Sequence, residues 1–197
     1  MTAPASEHRR QSPARRRVLD TAAALFYAEG LHTVGIDRII AQAGVAKATF
    51  YHHFPAKDEL VRAYLDEEYQ RQRAAIEAMR TASIEPRQIL LAIFEYLGKT
   101  GASAGFRGCP FTNAAAEYPD PAHPVRRTIA EYRRWSHTLF RDLLADAGDP
   151  DPERTATILM MLRDGIVVGS DLDDPNALRP VIRDALIRVL DGQTPPT

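Results

Sequence analysis

Cysteine is nearly absent from this chain, which contains Cys109 and no other. One thiol cannot form a disulfide within the chain, and no group of cysteine and histidine residues has the spacing of a zinc site. Long apolar runs are also missing, since none approaches the ~20 residues needed to span a bilayer. The first residues are polar and basic, with no apolar stretch that resembles a signal peptide. We therefore expect no membrane partner, no bound metal and a cytoplasmic location.

The motifs of common enzyme classes are missing as well. Serine, histidine and aspartate all occur, but there is no GxSxG elbow, no P-loop and no GxGxxG following a strand. No strand pattern is present that would carry such a motif. The sequence therefore predicts no catalytic residues and no cofactor, and it indicates a protein that is not an enzyme.

What remains is an ordinary globular composition in a helical pattern. The 197 residues are 45% hydrophobic and 26% charged, which is enough to bury a core in one or two domains. Apolar residues recur three and four positions apart in successive segments, as is typical of amphipathic helices. We predict an all-α fold of about nine helices, in which the glycine-rich residues 98–108 form a flexible crossing.

Residues 34–60 contain two short helical segments joined by a glycine. The apolar side chains of residues 36–43 share one side of the first segment, and Gly44 stands where that helix must end at a positive φ. In the second segment, Phe50 and Phe54 face inward, which leaves small, hydroxylic, aromatic and basic side chains outside. This pattern is typical of a helix-turn-helix, whose second helix enters the major groove of DNA.

The same stretch closely resembles the DNA-binding domain of the TetR family of bacterial transcription regulators. Residues 44–54 (GVAKATFYHHF) and 57–60 (KDEL) carry the resemblance, which extends back to Ala22. Gly35 and Ala46 depart from the pattern, because Ser or Thr is common in the family at these two helix starts.

The resemblance implies both a domain organisation and a function. We expect a helix-turn-helix domain of three helices at residues 13–58 and a helical ligand-binding and dimerisation domain at residues 59–197. Residues 1–12, which lack apolar periodicity, are expected to form a disordered basic arm. The implied function is repression from a palindromic operator in double-stranded DNA, bound by a homodimer and released by an unknown small-molecule effector. The alternatives are a thiol- or electrophile-sensing regulator that acts through Cys109 and a non-specific architectural DNA-binding protein.

Charge is distributed unevenly along the chain, although the net charge is only -1. Residues 8–57 contain eight arginine and lysine side chains and three acidic ones, a net of +5, which leaves -6 for the remainder. This asymmetry puts positive potential where DNA phosphates would lie. Beside a helix-turn-helix, a DNA-binding surface explains it better than a solvated basic tail.

Several side chains of the helix-turn-helix are predicted to contact DNA. Lys47 can donate to guanine acceptors, while Ala48 and the Thr49 methyl group can contact a thymine methyl group. By resemblance, Tyr51 and His52 fall where the family touches the DNA backbone, and the remaining residues are candidates for phosphate contacts. The full set is Arg16, Thr33, Gly35, Lys47, Ala48, Thr49, Tyr51, His52 and Lys57.

The last two helical segments carry apolar residues on more than one face. Such helices must be covered on both sides, either inside a monomer or by the same helices of a second protomer. We favour the second explanation, because a dimer presents two recognition helices to two half-sites. The predicted interface consists of Ile158, Met161, Leu178, Val181, Ile182 and Leu186.

The resemblance also implies an effector pocket in the C-terminal domain. The candidate lining residues are Phe94, Phe106, Cys109, Phe111, Asn113, Trp135, Met161 and Asp164. For the aromatic and methionine members, plain core packing is the stronger explanation. Asn113, His137, Arg163 and Asp164 interrupt apolar helical faces, and a buried polar group requires a partner. For Cys109 a buried structural thiol is likewise the stronger explanation, and a nearby arginine and a helix start support the alternative, a sensor of electrophiles or oxidants.

Overall fold

The computed structural model describes residues 12–82 and 84–192. The predicted disordered arm, residues 1–12, lies outside the described residues except for Ser12. All regular secondary structure in the described ranges is helical, which confirms the all-α prediction. Nine helices occur in them: α1 (Pro13–Glu29), α2 (Ile36–Ala43), α3 (Lys47–His53), α4 (Lys57–Thr81), α5 (Pro86–Gly101), α6 (Pro110–Glu117), α7 (Pro124–Asp146), α8 (Pro152–Leu172) and α9 (Pro175–Leu190). None of these described helices is long and apolar enough to cross a membrane.

The chain forms two compact units, the first ending at Tyr64 and the second beginning at Leu65. The boundary expected between residues 58 and 59 falls inside α4, which is one continuous helix. Tyr64 belongs to the first unit because its ring centre lies 6.0 Å from that of Phe26 on α1.

The first unit consists of α1 to α3 and the beginning of α4 around a small apolar core. Most side chains that helical spacing places inside are buried: Val18, Ala22, Leu25, Phe26, Ile39, Ala43, Phe50, Phe54, Leu60 and Val61. Ile36 and Ile40, on the same side of α2, are half-buried. Two polar links fasten α2 to α1. Arg38 donates two hydrogen bonds of 2.5 and 2.7 Å to Glu29. Arg17 donates through Nε to the carbonyl oxygen of Ala43 at 3.3 Å, which satisfies one of the carbonyls left unpaired at the end of α2.

The second unit is a helical bundle in which α5, α7, α8 and α9 share one core. The ring centres of Phe94 on α5 and Phe140 on α7 lie 5.8 Å apart near its middle. Aliphatic side chains from the four helices surround them, including Leu90, Leu143, Leu159 and Leu186. The short helix α6 packs on α7 through Phe111 and Tyr132.

Residues 98–101 differ from the expectation of a flexible crossing, because they form the last turn of α5. A Cβ atom at Gly98 would lie 3.0 Å from Cδ1 of Ile182, and one at Gly101 would lie 2.4 Å from Oγ of Ser170. Real Cβ atoms do not approach other atoms as closely as the second distance requires. The two glycines therefore allow α5 to pack closely against α8 and α9 instead of loosening the chain.

Candidate functional site

The turn of the helix-turn-helix depends on Gly44, which has φ 62° and ψ 44° in the left-handed region. A glycine adopts this conformation without the steric cost that a side chain would impose. Its N–H and that of Val45 donate to carbonyl groups in the last turn of α2, which ends there. Helix α3 begins three residues later at Lys47, so the two helices are joined by a short turn, as expected of a helix-turn-helix.

Helix α3 buries its aromatic side and exposes its polar side. Phe50 is 0% exposed and Phe54 is 2% exposed, while Lys47, Ala48, Tyr51 and His52 are exposed in the free protein. The phenylalanines hold the helix to the core of the first unit and thereby turn the other residues outward. These four outward residues can approach DNA without any rearrangement of the core.

The other predicted DNA contacts border this surface. Thr33 and Gly35 are exposed just before α2, and Thr49 is half-buried on α3. Gly35 and Ala46 are the residues before α2 and α3, and neither supplies a side-chain cap.

Three of the basic side chains that were predicted to contact DNA already have partners in the free protein. Arg16 forms an ion pair with Asp20, and Lys57 donates through Nζ to the carbonyl oxygen of His32 at 3.4 Å. Lys47 forms an ion pair with Asp37 at 3.2 Å, and the hydrogen bond that Lys47 donates to this carboxylate raises the pKa of the lysine. Binding to phosphates must therefore compete with these contacts, which are exposed and hence weak.

Three residues of this surface were absent from the predicted set. Arg15 lies over the ring of Phe54 with its guanidinium carbon 5.0 Å from the ring centre, Arg17 binds the end of α2, and Asp37 binds Lys47. The sequence contains a signal for Asp37, since an acidic residue in the first turn of α2 is unexpected on a surface that faces phosphates. The basic excess of residues 8–57 includes the two arginines, but their contacts were not predictable, because their partners lie more than twenty residues away along the chain.

In the second unit, the predicted effector-site residues Cys109, Phe111 and Asp164 belong to a cluster around the buried Arg163. Arg163 donates to Sγ of Cys109 at 3.3 Å, to the Tyr132 hydroxyl at 2.9 Å and to Oδ1 of Asp164 at 2.7 Å. Phe111 stacks on Tyr132 with ring centres 3.6 Å apart. Arg163 was predicted to interrupt an apolar face, but neither it nor Tyr132 is among the predicted site residues.

Charge and burial oppose each other in this cluster. Burial raises the pKa of Tyr132, while the adjacent Arg163 acts in the opposite direction. Burial lowers the pKa of Arg163, but Tyr132, Cys109 and Asp164 outweigh it and raise that pKa above its ordinary value. The guanidinium therefore stays charged, and Asp164, which also accepts from Arg133 at 2.8 Å, supplies the negative charge beside it.

The remaining candidates for the effector site lie at different distances from this cluster. Trp135 reaches it through Tyr132, with ring centres 6.0 Å apart, and Phe94 lies in the hydrophobic core. Phe106 is half-buried, whereas Asn113 is exposed and donates to the carbonyl oxygen of Arg107 at 2.6 Å. Met161 is 71% exposed and so lies on the outside of α8.

The predicted interface residues separate into two groups. Ile182 and Leu186 are buried in the core of their own protomer, and Leu178 is half-buried. Ile158, Met161 and Val181 are exposed, as are Val168 and Leu172, which had not been selected. Positions 158, 161, 165, 168 and 172 repeat at helical spacing and form one stripe along α8, with Gly165 at its centre.

Each of the two units matches the model of a known protein family. Residues 18–64 match the bacterial regulatory proteins of the tetR family, and residues 113–192 match the tetracyclin repressor-like C-terminal domain. The HTH-type transcriptional regulator LmrA of Bacillus subtilis is 27% identical over 162 residues, which cover 78% of this chain and 85% of LmrA.

Solved structures extend the similarity over almost the whole chain. SCO4454, a TetR-family transcriptional regulator from Streptomyces coelicolor, is 44% identical with a TM-score of 0.86, over 92% of this chain and 96% of that protein. A putative TetR transcriptional regulator from Streptomyces avermitilis is 31% identical with a TM-score of 0.82, over 92% and 98% of the two chains. The chain therefore belongs to the TetR family of DNA-binding transcription regulators, which are not enzymes.

Proposed function

We propose that this protein is a ligand-responsive repressor, which binds a palindromic operator as a homodimer and is released by a small molecule. The exposed face of α3 carries this proposal. Lys47, Ala48 and Thr49 supply the base-reading chemistry, and Tyr51 and His52 supply hydrogen-bond donors for phosphates. Arg16, Thr33, Gly35 and Lys57 extend the backbone contacts on either side. Such a regulator acts on the chromosome, so its location is cytoplasmic.

The homodimer is supported by the apolar stripe on α8. Met161 is 71% exposed, Val168 52% and Leu172 74%, which is unusual for large apolar side chains that form one continuous patch. Ile158 belongs to the same patch, and Val181 adds an exposed apolar side chain from α9. A second copy of the same stripe covers all of them, and the open space around Gly165 lets the two α8 helices approach closely. We assign Ile182 and Leu186 to the core that supports this interface from within.

Footprinting tests the operator part of the proposal. Genomic fragments selected by the full-length protein are digested with a nuclease in its presence and absence. We expect two protected half-sites, related by a palindrome and separated by about one helical turn of DNA or a multiple of it. A Lys47→Ala, Tyr51→Ala double variant should give no protection while keeping its helical content. Diffuse protection without a repeated sequence would instead support a non-specific architectural protein.

A second candidate function uses Cys109 as a sensor of electrophiles or oxidants. The observation in its favour is the Arg163 guanidinium at 3.3 Å, which directs positive charge at the sulfur atom. The thiol is 6% exposed, however, so a reagent reaches it only when the surrounding helices open. Rapid modification of the native thiol by dithionitrobenzoate, with loss of operator binding that Cys109→Ser prevents, would support this function. Slow modification with unchanged operator binding would reject it.

A further inference from the structure

A surface groove runs between the C-terminal half of α4 and the middle of α7, and we call it the α4–α7 groove. Its volume of about 520 Å³ lies within the range of small-molecule sites. Ile76, Trp135 and Leu139 form an apolar floor that continues the hydrophobic core of the second unit. Ala74 contributes only a methyl group to the wall, which leaves width for a flat ligand.

The rim of the α4–α7 groove carries an excess of unneutralised positive charge. Arg73, Glu77 and Arg80 follow one another along α4 at the spacing of a single helix face. Asp142 on α7 is also on the rim, but it accepts two hydrogen bonds of 3.0 and 2.8 Å from Arg141, which neutralises it. The rim therefore carries two guanidinium groups, of Arg73 and Arg80, and one carboxylate, of Glu77, outside the Arg141–Asp142 pair.

Both arginines are available to a ligand. Arg73 lies with its guanidinium carbon 5.5 Å from the ring centre of Tyr69, a contact that leaves the edge of the guanidinium open for hydrogen bonds. The side chain of Arg80 has no hydrogen bond or ion pair with any part of the chain that the structure describes. A carboxylate or sulfonate is the group that a guanidinium binds most strongly, because it accepts two parallel hydrogen bonds.

Several large side chains pack on one another in the interior of the same unit. Phe111 stacks on Tyr132, Phe94 packs on Phe140, and Arg163 donates to Asp164, Cys109 and Tyr132. A ligand entering there must displace these contacts, whereas the α4–α7 groove requires no displacement.

We propose that the α4–α7 groove binds an organic anion with a flat apolar body. The body lies on Trp135, Ile76 and Leu139, and the acidic group binds Arg73 and Arg80. Identification of this ligand class as that of the effector rests on the repressor function proposed above. Helix α4 also begins in the DNA-binding unit, so occupancy of the groove acts on a helix that both units share.

The position of Trp135 gives a direct measure of occupancy, since it is the only tryptophan in the chain. We choose anilinonaphthalene sulfonate as the probe and its uncharged parent, phenylnaphthylamine, as the matched control. Both absorb the light that tryptophan emits, so a probe in the groove quenches Trp135 and fluoresces by energy transfer. We expect saturable binding of the sulfonate at one site per protomer, and weaker binding of the uncharged parent.

Two variants distinguish the contribution of charge to ligand binding from that of the groove's shape. The Arg73→Gln, Arg80→Gln double variant should weaken binding of the sulfonate about tenfold and leave the parent compound unaffected. Ala74→Phe should fill the groove and abolish the binding of both. The matched control is Arg71→Gln, Arg134→Gln, which removes the same charge from exposed positions on α4 and α7 outside the groove. Unchanged sulfonate affinity in the double variant would overturn the ligand chemistry, and unchanged affinity in Ala74→Phe would overturn the location.

The link to DNA binding is tested separately with the operator. The sulfonate should lower operator affinity of the unaltered protein and have about tenfold less potency on the Arg73→Gln, Arg80→Gln variant. An occupied groove with unchanged operator affinity would overturn the effector role. The footprint of a palindromic operator would be unaffected by that result, so failure of this inference is distinguishable from failure of the proposed function.

Discussion

The Nζ atom of Lys47 lies 3.2 Å from Oδ1 of Asp37, so the first residue of α3 is paired with the first turn of α2. Both side chains are largely exposed, at 66% and 84%. The carboxylate competes with DNA for the lysine and also repels phosphates from the surface that α3 presents. We therefore expect Asp37 to lower DNA affinity in general and to favour sites where a guanine offers Lys47 a better partner.

Substituting the two partners of this ion pair should change DNA affinity in opposite directions. We expect Asp37→Asn to tighten binding to all DNA, roughly two- to fivefold at low salt, and to reduce the preference for the operator. Lys47→Ala should weaken operator binding and change the preferred bases. Fluorescence anisotropy over a range of salt concentrations measures both. Asp146→Asn removes the same charge from the second unit as a control, and equal affinities for it and Asp37→Asn would contradict the role of Asp37.

The turn at Gly44 should tolerate no other residue without cost. An alanine there would keep φ 62° with nothing within 4 Å of its Cβ, so the penalty is that of the backbone alone, about 1 kcal/mol. We expect faster hydrogen exchange in the amides of α2 and α3, measured by mass spectrometry, and weaker operator binding. Gly35→Ala is the matched control, because Gly35 has φ -77° and equal space. Equal exchange in the two variants would contradict a requirement for the left-handed conformation.

The helices were predictable from the sequence wherever burial alone determines the spacing of residues. On α7, the apolar positions from Val125 to Leu143 are buried as their spacing indicated, and Ser136 among them is buried too. The end of α5 was not predictable, because a glycine looks the same in a flexible loop and at a close helix contact. Only the position of Ser170 beside Gly101 distinguishes the two.

The exposed face of α3 was predictable for the same reason, since burying Phe50 and Phe54 leaves its other residues outside. The buried cluster around Arg163 was not predictable. Arg163 finds Tyr132 and Cys109 on segments far away in the chain, and helical periodicity carries no information about which polar side chains meet between helices. The exposed stripe on α8 was recognised only in part, because periodicity identifies apolar faces without saying which of them the protomer itself covers.

Removal of the Tyr132 hydroxyl should destabilise the second unit in a way that depends on pH. The hydroxyl donates to Gln72 at 2.8 Å and accepts from Arg163 at 2.9 Å, so Tyr132→Phe should cost about 1–3 kcal/mol near neutral pH. Burial raises the pKa of Tyr132 above its ordinary value, so the folded state holds this proton more tightly than the unfolded state. The resulting stabilisation is fully present below the unfolded pKa of about 10 and is lost as the pH rises through the folded pKa.

Urea denaturation at a series of pH values tests this expectation. The difference in unfolding free energy between the unaltered protein and Tyr132→Phe should be constant near neutral pH and shrink above about pH 10. Tyr96→Phe is the control, because Tyr96 is 65% exposed and should show no such change. A difference that stays constant through the alkaline range would show that the hydroxyl contributes without a shifted titration.

A charge placed in the α8 stripe should separate the protomers without unfolding them. Val168 is 52% exposed, so Val168→Glu leaves the core of each protomer intact but buries two carboxylates in the dimer. We expect light scattering to give the mass of a monomer, circular dichroism to show unchanged helical content, and operator affinity to fall at least about tenfold because one recognition helix alone is insufficient.

The control is Tyr96→Glu, which places the same charge at an exposed apolar position on α5. That variant should remain a dimer and bind the operator normally, since Tyr96 lies outside the stripe. If Val168→Glu also remained a dimer, the partner surface would have to lie elsewhere. The exposure of Met161 and Leu172 would then require a different explanation, because exposing so much apolar surface of one helix to water costs free energy.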